Sequence, residues 1–302
     1  MAKTCTHNRN IIISPQAGFA NRLRALNSAL IAADESSRNL YHYWLPSQPN
    51  HRERHINWIK QTALDHFFEC TEIQSANPKD LEPELVLSEW ARNDHWYNTQ
   101  SNAQVAFGKN ANTRSSNYLE TILNSKAETI LIETTLRFWP HDHKGLDKEI
   151  PTGEEARRIY ETYSRLIPKK FYQDLISHFS PIDVGVAIRR GDLLNHSKQA
   201  RQEVHDIYNF LVGLSSGGQK IMIFSDDSEL VEHLAALPGI NQEYPLLSNM
   251  LKKLLPHQKA MTTFLFLALK CKEIYGTPES SFAQEAALFG NRSYRVILEV
   301  DL

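Results

Sequence analysis

A chain of 302 residues, 41% hydrophobic and 23% charged, can bury a substantial core and suits two globular domains of ordinary size. Its formal net charge of −2 argues against general nucleic-acid binding through a basic surface. No apolar run approaches the roughly 20 residues needed to span a bilayer, and the widely separated Cys5, Cys70 and Cys271 fit neither a disulfide framework nor a close-spaced zinc site.

The stretch Met1 to Asn10 is polar, so no secretory leader is expected, and a reduced, cytoplasmic protein is the simplest expectation. Asn195-His196-Ser197 and Asn291-Arg292-Ser293 then read as chance matches to the glycosylation sequon. Ile11-Ile12-Ile13 predicts a first strand over Asn10 to Ser14. Gly18 follows, and from Asn21 onward Leu23, Leu26, Ala29, Leu30 and Ala33 recur at helical spacing. The amides of such a helix start can hold an anion, although a plain strand-to-helix connection explains one glycine equally well. Leu40 to Leu45 predicts a second strand, and His55 to Glu69 a helix with Ile56, Ile59, Ala63 and Phe67 on one stripe. Ser75 to Arg114 is polar and reads as long loops with short elements, Leu85-Val86-Leu87 among them. Its Trp90, His95, Trp96 and Tyr97, with Trp139 further on, hint at a carbohydrate surface.

Thr129 to Leu136 predicts a strand, followed by Arg137-Phe138-Trp139-Pro140-His141-Asp142-His143. That run offers a general base or a metal ligand, or else a solvated proline turn. Thr152 to Ile167 and Lys169 to Phe179 predict two helices, the first with capping-box spacing between Thr152 and Glu155. Pro168 separates them, and the domain boundary is placed there: 1–167 and 168–302.

In the second half, strands and helices alternate, which implies a parallel sheet. Val184 to Ile188 is a short apolar run that suits a strand buried on both faces. It ends in Arg189-Arg190-Gly191-Asp192. A helix is expected over Arg201 to Leu214, a turn at Gly217-Gly218, a strand over Lys220 to Phe224 and a helix over Leu230 to Leu237. Tyr244 to Leu247 is a short apolar run, Pro256 to Lys270 a helix, Glu273 to Tyr275 a strand, Ala283 to Phe289 a helix and Tyr294 to Val300 a closing strand. Ligands of open α/β sheets bind outside the carboxyl ends of the strands. Three such ends carry polar groups here. Arg189 and Arg190 offer guanidinium forks for phosphate. Asp226 and Asp227 offer carboxylates for the N–H groups of a base or for sugar hydroxyls. Ser280 and Ser281 open a helix and suit an anion. Each group also has a plain structural reading, and a helix cap is the first one for the aspartate pair. Together they describe a nucleotide-diphosphate pocket. Cations already at that edge can neutralise a leaving diphosphate, so no metal and no cofactor are expected.

Arg-Arg-Gly-Asp after an apolar strand, Phe-Ser-Asp-Asp after the next, and Ser-Ser-Phe before a late helix together resemble the fucosyltransferase superfamily. That group includes the α1,2- and α1,6-fucosyltransferases and the protein O-fucosyltransferases. Gly18-Phe19-Ala20-Asn21-Arg22-Leu23 is similar to its Gly-x-x-Asn-Arg/Gln motif. The resemblance implies an α/β, GT-B-like architecture: two Rossmann-like domains with parallel sheets facing a central cleft. The N-terminal domain would be acceptor-side, and the C-terminal domain would bind the nucleotide sugar. The resemblance further implies metal-independent, inverting transfer of fucose from GDP-fucose. Arg189 would hold the β-phosphate, supported by Arg190. Asp226 would face the guanine beside Asp227, while Ser280, Ser281 and Phe282 would line the diphosphate and nucleoside pocket. Gly18, Asn21 and Arg22 would border the cleft. The catalytic base stays open among Asp192, His196, Glu203, Asp142 and His141. The family motif usually reads His-x-Arg-Arg, and Ala187 stands at the histidine position. Another nucleotide-sugar donor, or a binding protein without catalysis, is therefore kept as an alternative. The acceptor is a glycan, peptide or small-molecule hydroxyl; no nucleic-acid partner and no transmembrane segment are expected, and the oligomeric state is not specified. A nicotinamide enzyme is disfavoured because no GxGxxG follows a predicted strand.

Overall fold

A computed structural model describes residues 9–15, 18–44, 64–69, 72–76, 78–88, 104–107, 118–139, 151–189, 199–235, 237, 240, 244–277 and 280–297. The chain divides into two compact units, Met1–Ile167 and Pro168–Leu302.

In the first unit the elements are β1 (Asn10–Pro15), α1 (Phe19–Ser36), β2 (Asn39–His42), a 3-10 turn at Leu64–His66, β3 (Phe68–Glu69), β4 (Gln74–Ser75), α2 (Pro78–Leu81), β5 (Leu85–Ser88), β6 (Gln104–Phe107), α3 (Tyr118–Asn124), β7 (Thr129–Thr134) and α4 (Gly153–Tyr163). Six strands form one sheet in the order β4-β2-β1-β7-β5-β6. Its pairs are parallel, with Ile12 opposite Leu131 and Tyr41. The central strands carry no polar alternation because both faces are covered. Ile11, Ile12, Ile13, Ile130, Leu131 and Ile132 are all fully buried. Each such side chain contributes on the order of 2 kcal/mol through removal from water.

Helix α1 is buried along most of its length, polar residues included. Several of those polar groups bond to the segment that follows β7. Arg24 Nε donates to the Thr135 carbonyl at 2.9 Å, Arg137 donates to Asn27 Oδ1 at 3.2 Å, and Ser28 Oγ accepts from the Phe138 amide at 3.2 Å. The helix thus stitches itself to the segment that leaves β7. Arg38, just past α1, donates to the carbonyls of Ser125 and Ala127 at 2.9 and 2.7 Å and so fixes the approach to β7.

The second unit follows β8 (Ile167–Pro168), whose two residues straddle the boundary. It contains α5 (Lys170–Ser177), β9 (Ile182–Ile188), α6 (Gln199–Ser216), β10 (Ile221–Ser225), α7 (Ser228–Ala235), α8 (Tyr244–Lys252), α9 (Pro256–Lys270), β11 (Cys271–Gly276), α10 (Ser281–Gly290) and β12 (Ser293–Val296). Four parallel strands lie in the order β10-β9-β11-β12. Side chains alternate across β9. Val184, Val186 and Ile188 pack with Ile207, Phe210 and Leu211 of α6 and with Leu230 and Leu234 of α7. Gly185 faces α9 on the other side. A Cβ there would lie 2.6 Å from Cys271 Sγ and 2.7 Å from Leu267 Cδ2, so a larger residue would have to displace these side chains. Phe266 of α9 packs edge-on against both Phe224 and Phe179. Helices therefore cover both faces, the doubly wound arrangement that the strand–helix alternation predicts.

Some elements differ from the sequence reading. Leu64–Glu69 is a 3-10 turn and a short strand rather than the end of a helix; His55 to Ala63 lie outside the described residues. The short element expected at Leu85-Val86-Leu87 is the strand Leu85–Ser88, and it pairs with a second strand, Gln104–Phe107, in a stretch read as loop. Tyr244–Lys252 is a helix rather than a short apolar run. Thr152 is the N-cap of α4, but its side chain makes no capping hydrogen bond. The first helix of that pair also ends at Tyr163, four residues short of Ile167.

Candidate functional site

In the second unit β9 runs on through α6 to β10 on one side, while β11 lies on its other side. The strand order reverses between β9 and β11, and that is where an open α/β sheet leaves a crevice outside its carboxyl ends. Arg189, Thr277 and Ser280 all stand at this reversal.

Arg189 is the first residue beyond β9 and is exposed. Its amide donates to Thr277 Oγ1 at 3.1 Å. The Thr277 amide donates to the Ala187 carbonyl at 3.2 Å, and the Thr277 carbonyl accepts from the Ser280 amide at 3.1 Å. Ser280 is buried and is the N-cap of α10, where its Oγ accepts from the Ala283 amide at 3.5 Å. Ser281 and Phe282 form the first turn of α10, and Phe282 packs edge-on against Phe264 of α9. Phe282 is thereby tied into the core as well as placed at the site. First-turn amides have no partner within their own helix, and the helix dipole is positive there.

The aspartate pair divides in two. Asp227 Oδ1 accepts from the Leu230 amide at 3.1 Å, and the Asp227 amide donates to Ser225 Oγ at 3.1 Å. Asp227 therefore caps the start of α7. Asp226 is exposed, with Ser225 Oγ 3.4 Å from its Oδ1. Ala187 is buried and lies in register between Phe224 and Gly276. Strand β9 thus presents an apolar surface at the position where the family motif carries histidine.

In the first unit the order reverses between β1 and β7. Gly18 is the N-cap of α1 with an extended backbone, and a Cβ there would meet nothing within 4 Å. Neither its backbone nor its packing demands glycine. Asn21 sits on the first turn of α1, and its Oδ1 is buried without a hydrogen bond. Arg22 is fully buried, its guanidinium 5.2 Å from the centre of the Trp44 ring. Burial lowers its pKa to about 10. Trp44 in turn packs against Phe67, and Phe67 against Phe19. At the end of β7, Glu133 is buried beside Ser14 in register and accepts from Ser88 Oγ at 3.1 Å.

Arg190, Asp192, His196, Asp142 and His141 lie outside the described residues, as do Trp90, His95, Trp96 and Tyr97. Glu203 falls on α6, with its side chain outside the description. Trp139 is buried, donating to Glu35 Oε1 at 3.2 Å with the Arg158 guanidinium 5.0 Å from its ring centre. It does not offer the open face that a carbohydrate platform needs. Sequence reading passed over Thr277 and Glu133. Glu133 follows the apolar run Ile130-Leu131-Ile132 and could have been singled out from it, whereas Thr277 follows a strand that already carries Lys272 and Glu273 and has no such mark. Among the described residues no three His, Cys, Asp or Glu side chains come together as a metal set, and no helix is long and apolar enough to cross a membrane.

No protein-family model matches the sequence, and no curated protein matches it. Solved structures do match. The apo form of POFUT1 superimposes with a TM-score of 0.55 at 10% identity, covering 98% of this chain and 99% of that one. The fucosyltransferase NodZ from Bradyrhizobium gives 0.58 at 17% identity, covering 93% of each chain. NodZ α-1,6-fucosyltransferase soaked with GDP-fucose gives 0.57 at 16% identity, over 93% and 92%. This chain has the fucosyltransferase fold. The match spans both units, so each parallel α/β sheet has its counterpart in the fucosyltransferase fold, in agreement with the GT-B-like class expected from the sequence.

Proposed function

We propose that the chain is a fucosyltransferase-like glycosyltransferase that uses a GDP-sugar, GDP-fucose first, as donor. One observation carries the reading. At the β9/β11 reversal the backbone of Arg189 is bonded to the turn that starts α10, so a cation and a helix N-terminus meet at one strand edge. That edge belongs to a fold whose other members include proteins crystallised with GDP-fucose and with GDP.

The chemistry follows from the groups. The diphosphate is held by the Arg189 guanidinium, with Arg190 beside it in sequence, and by the amides of Ser281 and Phe282. Asp226 accepts from the N–H groups of the base, while Asp227 holds α7 so that Asp226 is presented. In the first unit, Gly18, Asn21 and Arg22 form the corresponding sheet edge. The acceptor hydroxyl attacks the anomeric carbon as the bond to the β-phosphate oxygen breaks. The electron pair leaves with GDP, and the acceptor proton passes to a carboxylate or imidazole among Asp192, His196, Glu203, Asp142 and His141. Attack opposite the leaving group inverts the anomeric centre. Arg189 offsets the charge that develops on GDP, so the reading needs no metal. We assign 1–167 to the acceptor side and 168–302 to the donor.

One feature bears on the choice of base: Ala187 between Phe224 and Gly276 gives β9 no polar side chain at that position, so the GDP reading is tested against a second donor class. Calorimetric titration with GDP, UDP and ADP, with and without EDTA, separates the two. Selective, EDTA-insensitive GDP binding that Arg189→Ala abolishes supports the reading, and transfer from GDP-fucose across an acceptor panel completes it. Preference for UDP or ADP changes the donor. Binding of none of the three overturns the nucleotide-sugar reading.

A further inference from the structure

We infer that Thr277 is a positioning residue: its hydroxyl and backbone join the Arg189 end of β9 to the N-terminus of α10, making one rigid anion-binding edge. The inference deepens the reading above and rests on it for its ligand. The geometry itself does not. Thr277 is buried and lies one residue past β11, at the point where the strand order reverses. Three of its polar groups are committed to three different parts of the edge. Oγ1 takes the Arg189 amide, N–H goes to the Ala187 carbonyl, and the carbonyl takes the Ser280 amide. The parallel ladder between β9 and β11 ends at Gly276 opposite Ala187. Thr277 extends that pairing by one residue, with a side chain in place of a strand. Ser280 then carries the connection into α10 through the Ala283 amide.

Close approach of α10 to β11 is part of the same device. A Cβ at Gly276 would fall 2.8 Å from the Ala283 Cβ and 2.7 Å from the Tyr294 hydroxyl, so the glycine before Thr277 lets the helix start sit tightly against the strand end. A diphosphate spanning Arg189 and the α10 amides needs both at a fixed separation. Without the threonine hydroxyl the Arg189 amide loses this hydrogen bond, and more of the ordering of the residue falls to the moment of binding.

The test compares Thr277→Val, which keeps the shape and removes the acceptor, with Thr277→Ser, which keeps the acceptor. Amide exchange of the ligand-free protein is read first, because it needs no nucleotide. The Arg189 amide should exchange slowly in the wild type and in Thr277→Ser, and much faster in Thr277→Val. In GDP titrations Thr277→Val should bind about tenfold more weakly, from an ordering cost near 1.4 kcal/mol, while Thr277→Ser stays within about twofold of the wild type. An unprotected Arg189 amide in the wild type would overturn the inference, as would equal GDP affinity in all three proteins or a serine variant as weak as the valine one. If wild type and variants all fail to bind nucleotide while the exchange pattern holds, the clamp stands and the nucleotide-sugar reading falls.

Discussion

On the proposed function the aspartate pair separates scaffold from site, because Asp227 caps α7 while the adjacent Asp226 is left exposed. Asp227 accepts from the Leu230 amide and thereby satisfies one of the orphan donors at the start of α7. Asp227→Ala removes that cap and should cost about 1 kcal/mol, within the range of about 0.5–2 kcal/mol for capping residues. For a unit of this size that lowers Tm by about 3–5 °C. Asp227→Asn keeps a capping oxygen and should stay close to the wild type. Asp226 is exposed, so Asp226→Ala should leave stability within about 0.5 kcal/mol. Its effect should appear in nucleotide binding. Hydrogen bonds to a charged acceptor contribute about 1.5–3 kcal/mol, so GDP affinity should fall at least tenfold. Calorimetric unfolding and nucleotide titration of the three variants read both quantities. If Asp226→Ala destabilises as much as Asp227→Ala while nucleotide affinity is unchanged, Asp226 is scaffold and the assignment fails.

Three further outcomes follow from packing and burial. Gly290→Ala places a Cβ 1.9 Å from the Ala268 carbonyl oxygen, a backbone atom that has no rotamer to yield, so the second unit should lose several times the usual ~1 kcal/mol cost of a point mutation in urea unfolding. Burial pushes the Cys271 thiol up to about 12, so at pH 8 the native protein should leave it unmodified by iodoacetamide and the urea-unfolded protein should not, as peptide mass mapping would show. Burial also lowers the pKa of His42, with Asp65 partly opposing. Below about pH 6.5 the unfolded chain then binds a proton that the folded chain resists, and the first unit loses stability as pH falls. His42→Gln should flatten the loss between pH 7 and pH 5, and an unchanged slope would contradict the burial argument.

Much of the fold is legible because fully buried parallel strands have a simple pattern. Ile11-Ile12-Ile13 and Val184 to Ile188 are apolar without alternation, and each is a central strand. Short strands are harder to read: Leu85–Ser88 shows only as a three-residue apolar run and Gln104–Phe107 not at all, because four residues are too few to establish a period. At Tyr244–Lys252 the helix shows in the sequence only as the short apolar run Tyr244 to Leu247, because Pro245 and the polar Ser248 and Asn249 hide its period. Residue types at the site were legible, but their division of labour was not. Asp226 and Asp227 look alike until the Leu230 amide chooses one of them. Ser280 was read as half of a serine pair, yet only its hydroxyl is the cap.

Ala187 shows how strand geometry limits what a departure from a motif can mean. Its neighbours across the sheet are Phe224 and Gly276, all three on the face covered by α9 and α10. A side chain at this position points into that layer, beside the start of α10, and cannot turn to the other face without a shift of register. The alanine therefore gives no polar group at one identifiable place and leaves the Arg189 end of β9 unaffected, because the Arg189 amide is bonded to Thr277 and not to residue 187's side chain. On the proposed function, discrimination among bases rests on the end of β10, where Asp226 is the exposed carboxylate, while diphosphate binding rests on the β9/β11 edge. The two functions are separable: Asp226→Ala should relax the preference among GDP, UDP and ADP, whereas Thr277→Val should weaken all three alike. A Thr277→Val protein that altered the ranking of the bases would show that the two edges are not independent.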